Sequence, residues 1–361
     1  MLPMATVAAV LFIGMFGLIE RPSRISPPLY GDGDTYVPSK LPSWSLGNGV
    51  EYPLVALNTA SLSVEETART IGVGLAMGIK NVDFHLGLER EGVALAVTVL
   101  GRENLFLVTK LDKPPATMTD PAEAAALAQK VIDDELGALG SDIDMLLMKD
   151  SASCPVMQAQ WKVLELAMYA GKTRSLGVYN FCQFSLDCIL ATARTPPAVN
   201  YIMRHVGMGP DATGLIAYNE AHGIKTAAYG TIGEPTALAS VLADPTLNAI
   251  AAAHGKSPEE VALKWNLQSG YAVSNRLTAD YAPSNPKPGS FCTKHCEVGI
   301  KGMAEAFTWE LTADEMAALD AIVIDDYPQS PTYYSSSGCP ASFGVSAHPT
   351  ESVCPGGSAW C

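Results

Sequence analysis

The sequence predicts an α/β protein built as a (β/α)8 TIM barrel, with an N-terminal hydrophobic segment before it and a Cys-containing, low-complexity C-terminal tail after it. Three observations predict this. From Leu46 to about Ile324, short apolar runs alternate with stretches of helical period, giving eight strand–helix units. No glycine fingerprint opens the first unit, which argues against the runner-up, a doubly wound open sheet. The chain has 361 residues, 48% hydrophobic and 17% charged. That is enough for a closed barrel of roughly 250 residues with extensions, and too apolar for a disordered protein.

The strands are predicted at Leu54–Leu57, Asn81–Asp83, Leu105–Thr109, Ile143–Met148, Ser175–Val178, Ala198–Ile202, Lys225–Ala228 and Tyr271–Ser274. Between them amphipathic helices are predicted, among them Val64–Met77, Pro121–Leu139, Met157–Ala170 and Pro258–Gln268. Punctuation supports two starts: Ser63 with Glu66 has the spacing of a capping box, and Ser257 is followed by Pro258 at the first helical position. The barrel then occupies 44–324, with a Pro/Ser/Cys insertion at 279–299, a linker at 20–43 and the tail at 325–361.

Residues 2–19 carry no charge. That length sits near the lower limit of a membrane span and also suits a signal-peptide core. A cleaved secretory or organelle-targeting signal (1–19), a retained membrane anchor and a misassigned leader all stay open. Arg21, Arg24 and Lys40 follow the segment, so an anchor would turn the body to the cytoplasm and a cleaved signal would place it in a lumen or outside. The net charge of -14 excludes nonspecific nucleic-acid binding, which needs a basic surface. Of the eight cysteines, Cys154, Cys182 and Cys188 read as small buried hydrophobes inside the barrel pattern. Cys292, Cys296, Cys339, Cys354 and Cys361 lie in the outer segments, where a secreted chain would form disulfides. The spacing of Cys292, His295 and Cys296 matches no established metal site, and no metal is assigned.

Several segments in order resemble the aldo-keto reductase family: the hairpin-forming run 46–53 (LGNGVEYP), Arg102 to Lys110 (RENLFLVTK), Gly171 to Phe181 (GKTRSLGVYNF), Pro197 to Tyr201, Gly223 to Tyr229, and 309–319 (WELTADEMAAL). The resemblance spans residues 44 to 324 and implies an NADP-dependent oxidoreductase acting on small aldehydes or ketones. It implies NADPH lying across the barrel mouth and four side chains serving hydride transfer: a tyrosine proton donor, a lysine that stabilises its phenolate, an aspartate that pairs with the lysine, and a histidine that orients the carbonyl. Hydride arriving at a carbonyl carbon makes an alkoxide, which needs a proton or positive charge beside it.

Matched residue by residue, Asp83 and Lys110 keep the aspartate and the lysine. Leu88 stands at the tyrosine position and Lys149 at the histidine position. Lys149 is the replacement acid if burial and Lys110 depress its pKa; His85, three residues before Leu88, is a second candidate or a structural histidine. On the cofactor side, Thr59 survives from a Gly-Thr-Trp pattern, Asn180 matches the residue that holds the nicotinamide amide, and Tyr229 matches the ring-stacking tyrosine. Tyr179 and Tyr201 replace a serine and a glutamine with bulky phenols that crowd the amide pocket, and Arg276 is the candidate phosphate partner. Two functions stay open: an oxidoreductase with a modified proton donor, or a catalytically silent pseudoenzyme barrel serving as a nucleotide-binding, regulatory or scaffold protein.

Overall fold

The computed structural model describes residues 40–60, 62–115, 117–151, 153–211, 214–233, 237–276 and 294–324, with side chains from 299 onward in the last segment. The hydrophobic segment at 2–19, Cys292 and the tail lie outside the described residues, as do the side chains of His295 and Cys296. No helix among the described residues is long and apolar enough to cross a membrane, and none of their His, Cys, Asp and Glu side chains cluster in threes that could hold a metal.

A hairpin of β1 (Ser43–Ser45) and β2 (Glu51–Pro53) comes first. Strands and helices then alternate: β3 (Val55–Asn58), α1 (Val64–Ala76), β4 (Asn81–Asp83), α2 (Leu88–Leu100), β5 (Phe106–Leu111), α3 (Pro121–Leu139), β6 (Ile143–Lys149), α4 (Cys154–Tyr169), β7 (Thr173–Tyr179), α5 (Gln183–Leu190), β8 (Val199–Met203), α6 (Leu215–Ala221), β9 (Lys225–Tyr229), α7 (Leu238–Ala243), α8 (Pro245–His254), α9 (Pro258–Gln268), β10 (Ala272–Arg276), α10 (Lys294–Glu305) and α11 (Ala313–Asp320). Strands β3 to β10 close into a parallel barrel, β10 pairing with β3. This is the (β/α)8 barrel the sequence predicts.

All eight predicted strands are present, and most extend beyond the apolar run at their C-terminal ends. A parallel ladder needs only backbone groups, so polar residues such as Asn58, Lys149, Asn275 and Arg276 continue it to the barrel mouth. Helix α4 starts earlier than predicted, with Pro155 in its first turn, where proline's fixed φ suits a helix start. Both predicted capping residues work as such, Ser63 with Glu66 and Ser257 with Glu260. Residues 294–299, expected in the insertion, form the start of α10.

Side chains alternate across each strand. One set, including Phe106, Val108, Met145, Leu147, Val199, Tyr201, Ala227 and Ala272, fills the barrel, with Leu46, Val50 and Tyr52 of the hairpin region packed into the same cluster. The other set, including Val82, Leu107, Leu146, Met148 and Val178, packs against Ile71, Val93, Ile132 and Trp161 of the surrounding helices. Gly177 marks a tight point inside the barrel: a Cβ there would lie 2.6 Å from the Leu147 side chain and 2.8 Å from the Val199 carbonyl.

The barrel cysteines are not simple buried hydrophobes. Cys154 and Cys188 form a disulfide that ties the start of α4 to α5, across 34 residues of sequence. Cys182, which caps α5, is disulfide-bonded as well. A thiol reads like a small apolar side chain in any periodicity pattern, and only proximity in space distinguishes the two states.

Candidate active site

The C-terminal ends of the eight strands form the mouth, where barrel enzymes place their chemistry. Their last residues are Asn58, Asp83, Leu111, Lys149, Tyr179, Met203, Tyr229 and Arg276. Asp83, Lys149, Tyr179, Tyr229 and Arg276 thus reach one rim from sequence positions far apart, and Lys110 lies one residue short of it.

Asp83 and Lys110 form a fully buried ion pair. A buried ion pair is tolerated when further hydrogen bonds support both charges, and several do so here. Ser274 Oγ and Asn58 Nδ2 both donate to Asp83 Oδ2, the latter at 3.2 Å, and Lys110 Nζ also donates to the Phe84 carbonyl at 3.2 Å. Ser274 and Asn58 reach Asp83 only because β10 closes the barrel onto β3 and β3 pairs with β4.

The next turn departs from the expected constellation. Gly87 takes φ 90°, a conformation open to glycine, and lets α2 begin at Leu88. The Leu88 side chain is 61% exposed and has no proton to give. Beside it Glu89 is buried and accepts from Thr59 Oγ1 at 3.1 Å, from the His85 backbone N–H at 2.9 Å and from His85 Nδ1 at 3.3 Å. Burial alone would raise the Glu89 carboxyl, but its bonds to His85 outweigh that and hold it at about 2. Burial, and then Lys110, push the His85 imidazole below its ordinary value. Thr59 is therefore committed to Glu89, and His85 reaches the mouth as part of the same network.

Lys149 is buried, with Asp112 Oδ1 at 3.4 Å. Burial depresses its pKa, Asp112 opposes the shift and Lys110 adds to it. Next on the rim, the Tyr179 ring stacks on Tyr229 with centroids 4.8 Å apart and planes 16° from parallel. Lys110 Nζ sits 5.7 Å from the Tyr179 centroid. Burial and the neighbouring Tyr229 raise the Tyr179 phenol well above its usual value, with Arg276 opposing more weakly. Tyr229 OH donates to Asn180 Oδ1 at 3.0 Å. Asn180 adopts φ 60°, the one left-handed residue other than glycine among the described residues; such strain clusters at working sites.

Tyr201 does not join this group as a mouth residue. Met203 ends its strand, and Tyr201 lies fully buried inside the barrel with its hydroxyl hydrogen-bonded to that of Tyr52. The phenol expected to crowd the amide pocket from position 201 instead points toward the hairpin.

A model of the aldo/keto reductase family matches residues 89–324. An aldo-keto reductase of Mycolicibacterium vanbaalenii is 31% identical over 287 residues, covering 78% of this chain and 92% of its own length. This chain belongs to the aldo/keto reductase family. Another relative, the morphine 6-dehydrogenase of Pseudomonas putida, is 29% identical over 297 residues and is covered over 92% of its length. Among solved structures, a mutant of Gox0644 in complex with NADPH superposes with a TM-score of 0.64 at 23% identity, covering 81% of this chain and 97% of that one.

Within this aldo-keto reductase barrel, three participants were not legible beforehand. Asn58 and Ser274 hold Asp83, and their role follows from barrel closure rather than from any local motif. Glu89 has the one available signal: an acidic residue in the first turn of a predicted helix, four residues after His85.

Proposed function

We propose that this aldo-keto reductase is an NADP(H)-linked oxidoreductase of small aldehydes or ketones that works without the family's tyrosine proton donor. The observation that carries the reading is the Asp83–Lys110 pair, buried at the mouth with both carboxylate oxygens and the ammonium hydrogen-bonded. Burying two charges is expensive and is often replaced by apolar packing where nothing uses the charge. The Gox0644 complex with NADPH supports the cofactor, and the dehydrogenase relative supports the reaction class.

The polar groups at the rim suit such a cofactor: Asn180 for an amide and Arg276 for a phosphate. The ring slot does not fit a nicotinamide, because Tyr179 covers the face of Tyr229. What the chain itself offers is positive charge. Lys110 and the depressed Lys149 face the region where a carbonyl oxygen becomes an alkoxide, and Lys149 has both a proton to donate and a reduced affinity for it.

A second reading, a catalytically silent barrel, is favoured by the exposed Leu88 side chain. Loss of a positioned general acid lowers turnover by about 10²–10⁴, or about 3–5 kcal/mol of barrier. Titration with NADPH, followed by the fluorescence of its reduced ring, separates the two. No binding at millimolar cofactor ends the oxidoreductase reading. Binding without turnover on a panel of small aldehydes and ketones supports the silent one.

A further inference from the structure

We propose that Tyr179 is a built-in occupant of the cofactor-ring slot, so that a nicotinamide reaches Tyr229 only after the Tyr179 side chain turns out of the way. This rests on the oxidoreductase reading above and concerns access to that same site.

The geometry of the slot carries the argument. Tyr179 lies nearly parallel to Tyr229 at a centroid separation of 4.8 Å, which is direct ring-on-ring stacking. Lys110 Nζ lies 5.7 Å from the Tyr179 centroid. A flat six-membered ring thus occupies the space between the buried ion pair and the stacking face, and a second ring of that size has no room there. Below it Tyr201 blocks retreat into the barrel: its centroid is 6.4 Å from that of Tyr179, its ring is fully buried, and its hydroxyl is tied to Tyr52. Tyr179 keeps 8% exposure where Tyr201 keeps none, so its way out is upward through the mouth. The backbone beside it is already special, since Asn180 holds a left-handed conformation and receives the Tyr229 hydroxyl.

Occupancy by the chain's own ring acts as a conformational tax: the apparent dissociation constant is the intrinsic one divided by the fraction of open molecules. Ring stacking and the neighbouring cation are together strong enough to keep the open fraction at about a tenth or below, which weakens NADPH binding about tenfold or more.

The test titrates NADPH into the full-length chain as wild type, Tyr179→Ser and Tyr179→Phe, with thermal melts to verify folding. Tyr179→Ser is expected to bind about tenfold tighter or better, and Tyr179→Phe, which keeps the ring, to stay within about threefold of wild type. A second measurement needs no variant: 2′-phospho-ADP-ribose, which lacks the nicotinamide, is expected to bind wild type within about threefold of NADPH, because the ring contributes little while the slot is filled. Wild type binding NADPH much more tightly than this fragment overturns the proposal, as does a folded Tyr179→Ser variant that gains no affinity. If neither wild type nor Tyr179→Ser binds NADPH at millimolar concentration, the oxidoreductase reading falls and the proposal falls with it.

Discussion

Tyr52 on the N-terminal hairpin and Tyr201 on a strand 149 residues later share a hydrogen bond between their hydroxyls, fully buried inside the barrel. Burial raises both phenols above their ordinary range, so both stay neutral and act as a structural latch between hairpin and barrel. Tyr201→Phe is expected to cost about 1–2 kcal/mol of stability, the usual loss when a buried polar partner is removed. NADPH affinity is expected to stay unchanged. Urea unfolding and a cofactor titration check the two halves, and a large loss of affinity would return Tyr201 to the binding site.

Asp83→Asn leaves the Lys110 ammonium buried beside a neutral amide. Breaking one side of a buried pair costs about 3–5 kcal/mol, read as a lower urea midpoint. Removing both charges together, Asp83→Asn with Lys110→Met, is expected to recover part of the loss. A single mutant as stable as wild type would mean that water already reaches Lys110.

Leu88 is exposed, so Leu88→Tyr should change stability by no more than about 0.5 kcal/mol. Alone it is expected to add little turnover, because Tyr179 lies against Lys110. Combined with Lys149→His and Tyr179→Ser it restores a tyrosine, a histidine and the space above the lysine, and NADPH-dependent reduction of a small aldehyde should rise about tenfold or more over Leu88→Tyr alone. Steady-state assays of the three backgrounds decide it.

The Cys154–Cys188 disulfide closes a 34-residue separation. Chain-entropy reasoning assigns such a loop about 3–4 kcal/mol. Cys154→Ser with Cys188→Ser should therefore unfold at distinctly lower urea, and added reductant should lower the midpoint of wild type by more than that of the variant, which keeps the disulfide of Cys182.

His205 is fully buried with Nδ1 2.6 Å from the Val206 carbonyl, and burial lowers its pKa to about 4. The unfolded chain binds this proton near pH 6.5, so between about 6.5 and 4 the unfolded state carries more protons than the native one. Stability therefore falls as pH drops through that window, by about 3 kcal/mol from this group, and no further below it. Urea unfolding of wild type and His205→Gln from pH 7 to 4 should show the steeper loss in wild type.

The sequence by itself determined the barrel, because alternating apolar runs and helical periods are local properties, and capping pairs such as Ser63 with Glu66 sit within one turn. Resemblance to the family also marked a set of candidate mouth residues in chain order, Asp83, Leu88, Lys110, Lys149, Asn180 and Tyr229. What those residues do was decided by tertiary structure. Asn58 and Ser274 serve Asp83 only because the last strand closes onto the first. Tyr201 points to Tyr52 because its strand runs two residues further, to Met203. Cys154 and Cys188 are joined because α4 and α5 pack side by side. Tyr179 fills a slot rather than crowding one because its neighbours across the mouth are Lys110 and Tyr229, contacts between strands that no local pattern encodes.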